Sequence, residues 1–287
     1  LLVKYRGKIL ILLIGFNMTA LGLGTGLIYP NLMGSKVYVN SESTDFDGSN
    51  QYGEIGDHNN FTPTASGFAW SVWFYFESGA DDGNEVDVRQ QRIHSKAPTS
   101  GSTGFEWQFT IASNSKPRLF LYFGGTASAS AQGGRIRFDI DTTVSTGNWY
   151  HVVFSWDGGV GTGAITGWLN GSIATHGSGA TAGQVGDGTT TVVNDTKPLH
   201  VARSINNYGE VYIDEYSLFN TELNNTQVSA IYNSGVPTDL SSHAGLIGYW
   251  RMGEDDTGST ITDLSSTSED MTLYNSPLAD TTNFAGV

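Results

Sequence analysis

From Val37 onward the chain is written in short runs of alternating side chains, one every ten to fifteen residues or so, separated by clusters of Gly, Ser, Thr, Asn and Asp. This spacing constrains the fold more than any other feature. It predicts strands over 44–46, 52–55, 68–76, 91–95, 105–112, 118–123, 135–140, 149–156, 164–169, 199–202, 209–219 and 246–252. So many short strands with turn residues between them read as an all-β, two-sheet antiparallel sandwich. Alternation also assigns faces. Val72, Phe74 and Phe76 share one face of their strand, and Trp73 and Tyr75 share the other. Both sets are bulky, so that strand is expected to lie centrally and to be covered on both sides. Tyr150, Val152, Phe154 and Trp156 share a face in the same way. One short helix is expected: Asn224 or Asn225 caps it, Val228, Ile231 and Tyr232 form its stripe, and Gly235 and Pro237 end it.

Composition excludes several function classes. The formal net charge is −14, from 14 basic against 28 acidic side chains, which argues against a phosphate backbone as partner. There is no cysteine, so neither disulfides nor thiolate metal sites are available. The histidines, at 58, 94, 151, 176, 200 and 243, have no zinc-type spacing, and His151 reads as a structural strand residue. No nucleophile elbow, P-loop or dinucleotide fingerprint occurs.

Residues 1–40 stand apart as a leader or extended arm. Lys4, Arg6 and Lys8 precede an apolar run, Ile9 to Phe16, which is too short to span a bilayer. Two readings fit it. In one it is a secretory signal with a cleavage site at Ala20-Leu21-Gly22; in the other Met18 is the start and 1–17 are upstream sequence. Residues 18–40 are Gly-rich without helical period and read as an extended tether. Residues 41–287 are expected to form the sandwich.

Several segments resemble the laminin-G-like and pentraxin-like jelly-rolls of the concanavalin A type. FDGSNQYGEIGD (46–57) followed by FAWSVWFYF resembles their opening strands. GNWYHVVFSWDG (147–158) resembles their Trp-x-His-Val block, GWLNGSIA (167–174) their Asn-Gly hairpin, and GEVYIDEYSLFNTELNNTQVSAIYNSG (209–235) their closing strand and helix. The strand that family domains carry before the FDG segment is missing there, and a similar one stands at GLIGYWRMGEDD (245–256). Residues 245–287 are therefore expected to supply a permuted strand to this sandwich or an exchanged one to a neighbour. The glycine-rich start and the tail also resemble, in arrangement, structural proteins of marine bacteriophages.

The resemblance implies a structural calcium ion near the FDG turn, with Asp47 and Asp214 as ligands. Read from the residues alone, Asp47 is equally an Asx-turn residue and Asp214 a hydrogen-bonded strand residue. Laminarinase-type relatives carry Glu-x-Asp-x-x-Glu on one strand; here Glu85-Val86-Asp87-Val88-Arg89-Gln90 ends in a residue that cannot exchange a proton, so no catalytic residue is assigned. Trp107, Trp168, Tyr208 and Tyr122 are candidates for stacking on sugar rings, and the loops 77–90, 97–104, 124–134 and 176–198 for recognition. No carbohydrate-contact residue is fixed by this. The expected function is non-enzymatic: a virion or appendage structural protein for decoration, adhesion or glycan binding, held through its arm to other copies or a scaffold. A secreted carbohydrate-binding module is the alternative, and a glucanase a remote one. The expected setting is the virion surface or the extracellular medium, with no nucleic acid and no membrane span.

Overall fold

The computed structural model describes residues 3–5, 8–10, 38–77, 90–99, 104–124, 134–161, 163–177 and 191–286. It divides into two units, 1–37 and 38–287. In the first, Val3–Tyr5 (β1) and Lys8–Leu10 (β2) pair antiparallel, Val3 opposite Leu10.

The second unit is two antiparallel sheets of eight strands each. Sheet one runs β12 (Ser172–Ile173), β11 (Ile165–Leu169), β10 (Trp149–Trp156), β5 (Phe68–Tyr75), β16 (Glu210–Phe219), β3 (Ser43–Asp47), β20 (Leu278–Asp280), and β17 (Leu246–Trp250) also pairs with β16. Sheet two runs β18 (Thr260–Ile261), β19 (Met271–Tyr274), β4 (Tyr52–Ile55), β13 (Leu199–Val201), β6 (Arg92–Lys96), β7 (Trp107–Ile111), β8 (Pro117–Tyr122), β9 (Arg135–Asp139). A small ribbon, β14 (Arg203–Ser204) with β15 (Asn207–Tyr208), follows β13. The fold is an all-β jelly-roll sandwich.

Period-two alternation builds the core. Trp70, Val72 and Phe74 of β5, Val152, Phe154 and Trp156 of β10, Trp107, Phe109 and Ile111 of β7, and Leu119 and Leu121 of β8 all turn between the sheets into one buried cluster. Each is worth about 1.5–3 kcal/mol of burial. The strand β5 is central, between β10 and β16, as its two bulky faces require.

Part of the outer face of sheet one is covered by a helix. Helix α1 (Asn225–Tyr232) starts at a capping box in which the Asn224 side chain accepts from the Gln227 amide while the Gln227 side chain accepts from the Asn224 amide. It ends on Asn233 in the left-handed region. Val228 and Ile231 pack with Ala69, Val153, Trp168, Phe219 and Tyr249 into a second, smaller core. At the end of the helix the rings of Trp73, His151 and Tyr232 pack mutually, with centroids 4.8, 5.5 and 5.7 Å apart.

Residues 246–280 return to both sheets: β17 to β16, β19 to β4 and β20 to β3. A bulge interrupts β16 between Asp214 and Ser217, with Glu215 at φ 47°. It places Asp214 and Glu215 both outside the main core and lets Tyr216 and Leu218 resume the inward positions. Glu215 there accepts from Arg251 Nε at 3.0 Å and from the Tyr249 hydroxyl, and Arg251 also donates to the Val39 carbonyl.

Candidate functional site

The expected calcium ligands come apart in the structure. Asp47 lies opposite Glu210, while Asp214 lies four residues further along β16, about 13 Å away at the rise of a strand. The Asp47 Oδ1 caps its own turn, accepting from the amides of Ser49 and Asn50 at 2.9 and 3.4 Å. Asp214 is fully buried, and its Oδ2 accepts from Asn40 Nδ2 at 2.9 Å and from the Ala285 amide at 3.0 Å. Burial, with Glu215 beside it, pushes its carboxyl well up and favours the protonated form. Among the described residues no three His, Asp or Glu side chains converge on one point that suits a metal. The pair does not fit a single ion.

Asp47 instead joins an acidic cleft of about 190 Å³ with Asp45, Glu77, Glu210 and Tyr212. Burial, then the charges of Glu77, Asp280, Asp47 and Glu210, raise Asp45 from 3.8 to about 6. An acid raised on folding adds stability below its unfolded value and loses it as pH rises through the folded one. In chelator-treated protein at pH 7.5, Asp45→Asn is therefore expected to raise stability, by about 1 kcal/mol once screening of this half-exposed group is allowed for. A matched gain at pH 4 would contradict the cause given, since Asp45 then carries its proton anyway.

The aromatic candidates need correction. Trp107 is in the core, Trp168 lies under the helix with its Nε1 donating to Asn225 Oδ1 at 3.1 Å, and Tyr122 is 2% exposed. Of the four, Tyr208 alone keeps part of its ring open, against the Arg203 guanidinium at 5.5 Å. The alternation of Trp107 with Phe109 and Ile111 was the signal that it faces inward. The run Glu85 to Arg89 lies outside the described residues, as do most of the four loops expected to recognise ligands.

The outer face of sheet two carries no helix among the described residues. Inter-strand register sets its side chains in rows. Arg92, Thr110, Arg118 and Asp139 stand side by side across β6 to β9, and Ser95, Gln108, Phe120 and Arg137 form the next row. Arg135 follows on β9, opposite Tyr122. Of the six described arginines, Arg92, Arg118, Arg135, Arg137 and Arg203 occupy or overhang this face; the sixth is Arg251. On the β6–β9 rows four guanidinium groups meet the single carboxylate of Asp139, in a chain whose net charge is −14.

The geometry of this face is specific. Arg118 Nε and Nη2 donate to both Asp139 oxygens at 2.7 Å, and Arg137 does the same at 2.9 and 2.7 Å. Burial tends to raise Asp139, but hydrogen bonds from the two arginines outweigh it and hold the carboxyl below its ordinary value. The Phe120 ring is partly buried against the Phe105, Tyr122 and Val193 cluster, with the Arg118 and Arg135 Cζ atoms 5.7 and 5.1 Å from its centre. Beside it is a groove of about 220 Å³ lined by Gln90, Arg92, Gln108, Thr110 and Arg118. In its wall Arg92 donates through Nη1 to the Gln90 carbonyl and Thr110 Oγ1, while its buried Nε has no partner among the described residues. Further along, Tyr52 and Tyr274 stack at 4.8 Å, with Arg203 4.3 Å above Tyr52.

No curated protein matches the chain. Among solved structures, a candidate carbohydrate-binding protein from Bacteroides ovatus superposes with a TM-score of 0.54 at 14% identity, over 85% of this chain and 61% of that one. This chain thus spans about three fifths of that protein's length. The heptameric SAP-like pentraxin of Limulus polyphemus aligns at a TM-score of 0.46 and 14% identity, over 68% of this chain and 83% of that one. Residues 47–229 match the laminin-G-type family model of the concanavalin A-like lectin/glucanases superfamily, more than half of the sequence and most of both sheets. The chain belongs to the concanavalin A-like lectin/glucanases superfamily.

Proposed function

We propose that this protein is a non-catalytic glycan-binding module whose binding surface is the outer face of sheet two. The observation that carries the reading is the partly exposed Phe120 ring, with Arg118 and Arg135 close to it, beside an open groove. An aromatic plane takes the apolar face of a pyranose, and the surrounding guanidinium and amide donors take its oxygens. On sheet one the helix covers part of the outer side, and the open cleft beside Asp45 is acidic. The fold match to the Bacteroides protein, described as a candidate carbohydrate binder, supports the same class.

The test is a glycan array read with the parent protein and with Phe120→Ser. Loss of one stacking contact is expected to weaken the bound glycans roughly tenfold. A melting scan of the variant is read beside the array, because the ring also packs against the Phe105, Tyr122 and Val193 cluster and its loss costs some stability. Undiminished binding by the variant would remove this face from the proposal, and an array without signal would remove the glycan. The proposed setting is a virion or appendage surface, with a secreted module as the alternative. Among the described residues no helix is long and apolar enough to cross a membrane. The mass of the native N-terminus separates the two settings: cleavage near Gly22 supports secretion, and a start at Met18 or Thr19 supports the virion.

A further inference from the structure

We infer that the glycan taken by this face is a polyuronate, a polysaccharide whose repeating carboxylates are gripped by the arginine rows while a sugar ring rests on Phe120. The inference rests on the reading above and narrows it to a chemical class.

Three observations converge. The first is the distribution of charge. A chain at −14 places nearly all its described guanidinium groups on one face, where scattered placement would serve solubility as well. The second is that the face already holds a carboxylate. Asp139 is forked by Arg118 and Arg137 together, so the spacing of β8 and β9 fits a planar carboxylate between two guanidinium planes. The third is spare donor capacity. Among the described residues the buried Arg92 Nε has no hydrogen-bond partner, and Arg92 and Arg118, which line the groove, stand on either side of Thr110 in one row. A ligand carboxylate entering the groove meets the Arg92 and Arg118 donors together, next to the Phe120 ring.

Asp139 then acts as an internal competitor. It occupies donors that a ligand carboxylate would use, and it cancels part of the positive field. Removing its charge is expected to strengthen binding, the opposite of what loss of a ligand contact does. Nucleic acid also presents anions and flat rings, but domains that bind it carry a basic surface overall, and this chain has a pI near 4.6.

The experiment is titration of the full chain at 20 mM salt with polygalacturonate, fully methyl-esterified polygalacturonate, dextran sulfate and polyuridylate. Polygalacturonate is expected to bind tightest and to weaken about tenfold or more between 50 and 200 mM salt, as contacts that release counterions do. The pair Arg92→Gln with Arg118→Gln is expected to lose at least about tenfold, one charge-assisted contact's worth, and Asp139→Asn to gain about threefold or more. Melting curves of each variant show that the fold is kept, and Arg135→Gln provides a second guanidinium outside the Asp139 forks. Equal binding of the methyl ester overturns the polyuronate and leaves the glycan reading standing. Tighter dextran sulfate or polyuridylate overturns it in favour of that anion. Weaker binding by Asp139→Asn at unchanged melting temperature also overturns it. If no polysaccharide binds, charged or neutral, the glycan reading itself falls.

Discussion

Arg251→Met is expected to cost about 3–5 kcal/mol at pH 8, the range for removing one partner of a buried ion pair. The guanidinium lies against Glu215, which is 2% exposed, and spans to the Val39 carbonyl and to the Tyr38 ring 4.4 Å away. Burial raises Glu215 from 4.5 to about 7 even though Arg251 and the Tyr249 hydroxyl work against it. Without the guanidinium its largest offset to burial is gone, and the carboxyl is driven further toward the protonated form. The cost should therefore shrink by more than half at pH 5, where the carboxyl is neutral, and most of it should be recovered by adding Glu215→Gln. Denaturant melts of the single and double variants at the two pH values decide; a cost of the same size at both would contradict the assignment. The parent protein shows the same linkage with competing signs. Glu215 and Asp214, both raised, add stability as pH falls from 8. The buried His94, His151 and His200, all lowered by desolvation, the last two to about 3 and 4, take up protons only when unfolded and remove stability below about pH 6.5. The maximum is expected between about pH 6 and 7.

A chain ending at Ala244 is expected not to fold at all. It would lack Ile247, Tyr249, Trp250, Met252, Ile261, Met271 and Leu273, all buried. At about 1.5–3 kcal/mol each, together about 10–20 kcal/mol, they are as large as the roughly 5–15 kcal/mol by which a whole domain is stable. The truncation also strips a partner from β16, β3 and β4 at once, leaving open edges in both sheets. Moving the same segment is a different matter. Asn40 Nδ2 donates to the Ala285 carbonyl at 2.9 Å, so the start and end of the sandwich touch. A permuted chain opened between the exposed Ser241 and Ser242, with residue 286 joined to 38 by a short linker, is expected to melt within a few degrees of the parent. Far-UV circular dichroism and a melting scan read both altered chains; a folded truncation or an unfolded permutant would sink the idea.

Much of this architecture was legible because burial imposes period two on long strands. The segments 52–55 and 149–156 are strands over those same bounds, and the paired faces of β5 follow from Val72 and Phe74 against Trp73. The late strands were not legible. The strands β18 and β20 are two and three residues long in a Ser-, Thr- and Asp-rich tract, too short for any period to declare itself. The bulge at Asp214 and Glu215 was hidden too, since a break in alternation by one residue looks like an ordinary polar pair. The arginine rows were half visible. PRLFLY and RIRFD each alternate, which puts Arg118 and Phe120, and Arg135 and Arg137, on outward positions. That they align with Arg92 depends on register between strands far apart in the chain, which no local pattern records.

The contact between Asn40, Asp214 and Ala285 has an orienting effect. Asp214 pairs with Trp73 on the outward side of sheet one, so the polypeptide enters and leaves the sandwich on that flank. The guanidinium groups look out from the opposite flank. A body hung from a support through either end of this unit would hold its arginines toward the surroundings, as a palm faces outward when the wrist is fixed behind it. Reach to a large polymer would then need no swivel in the connection.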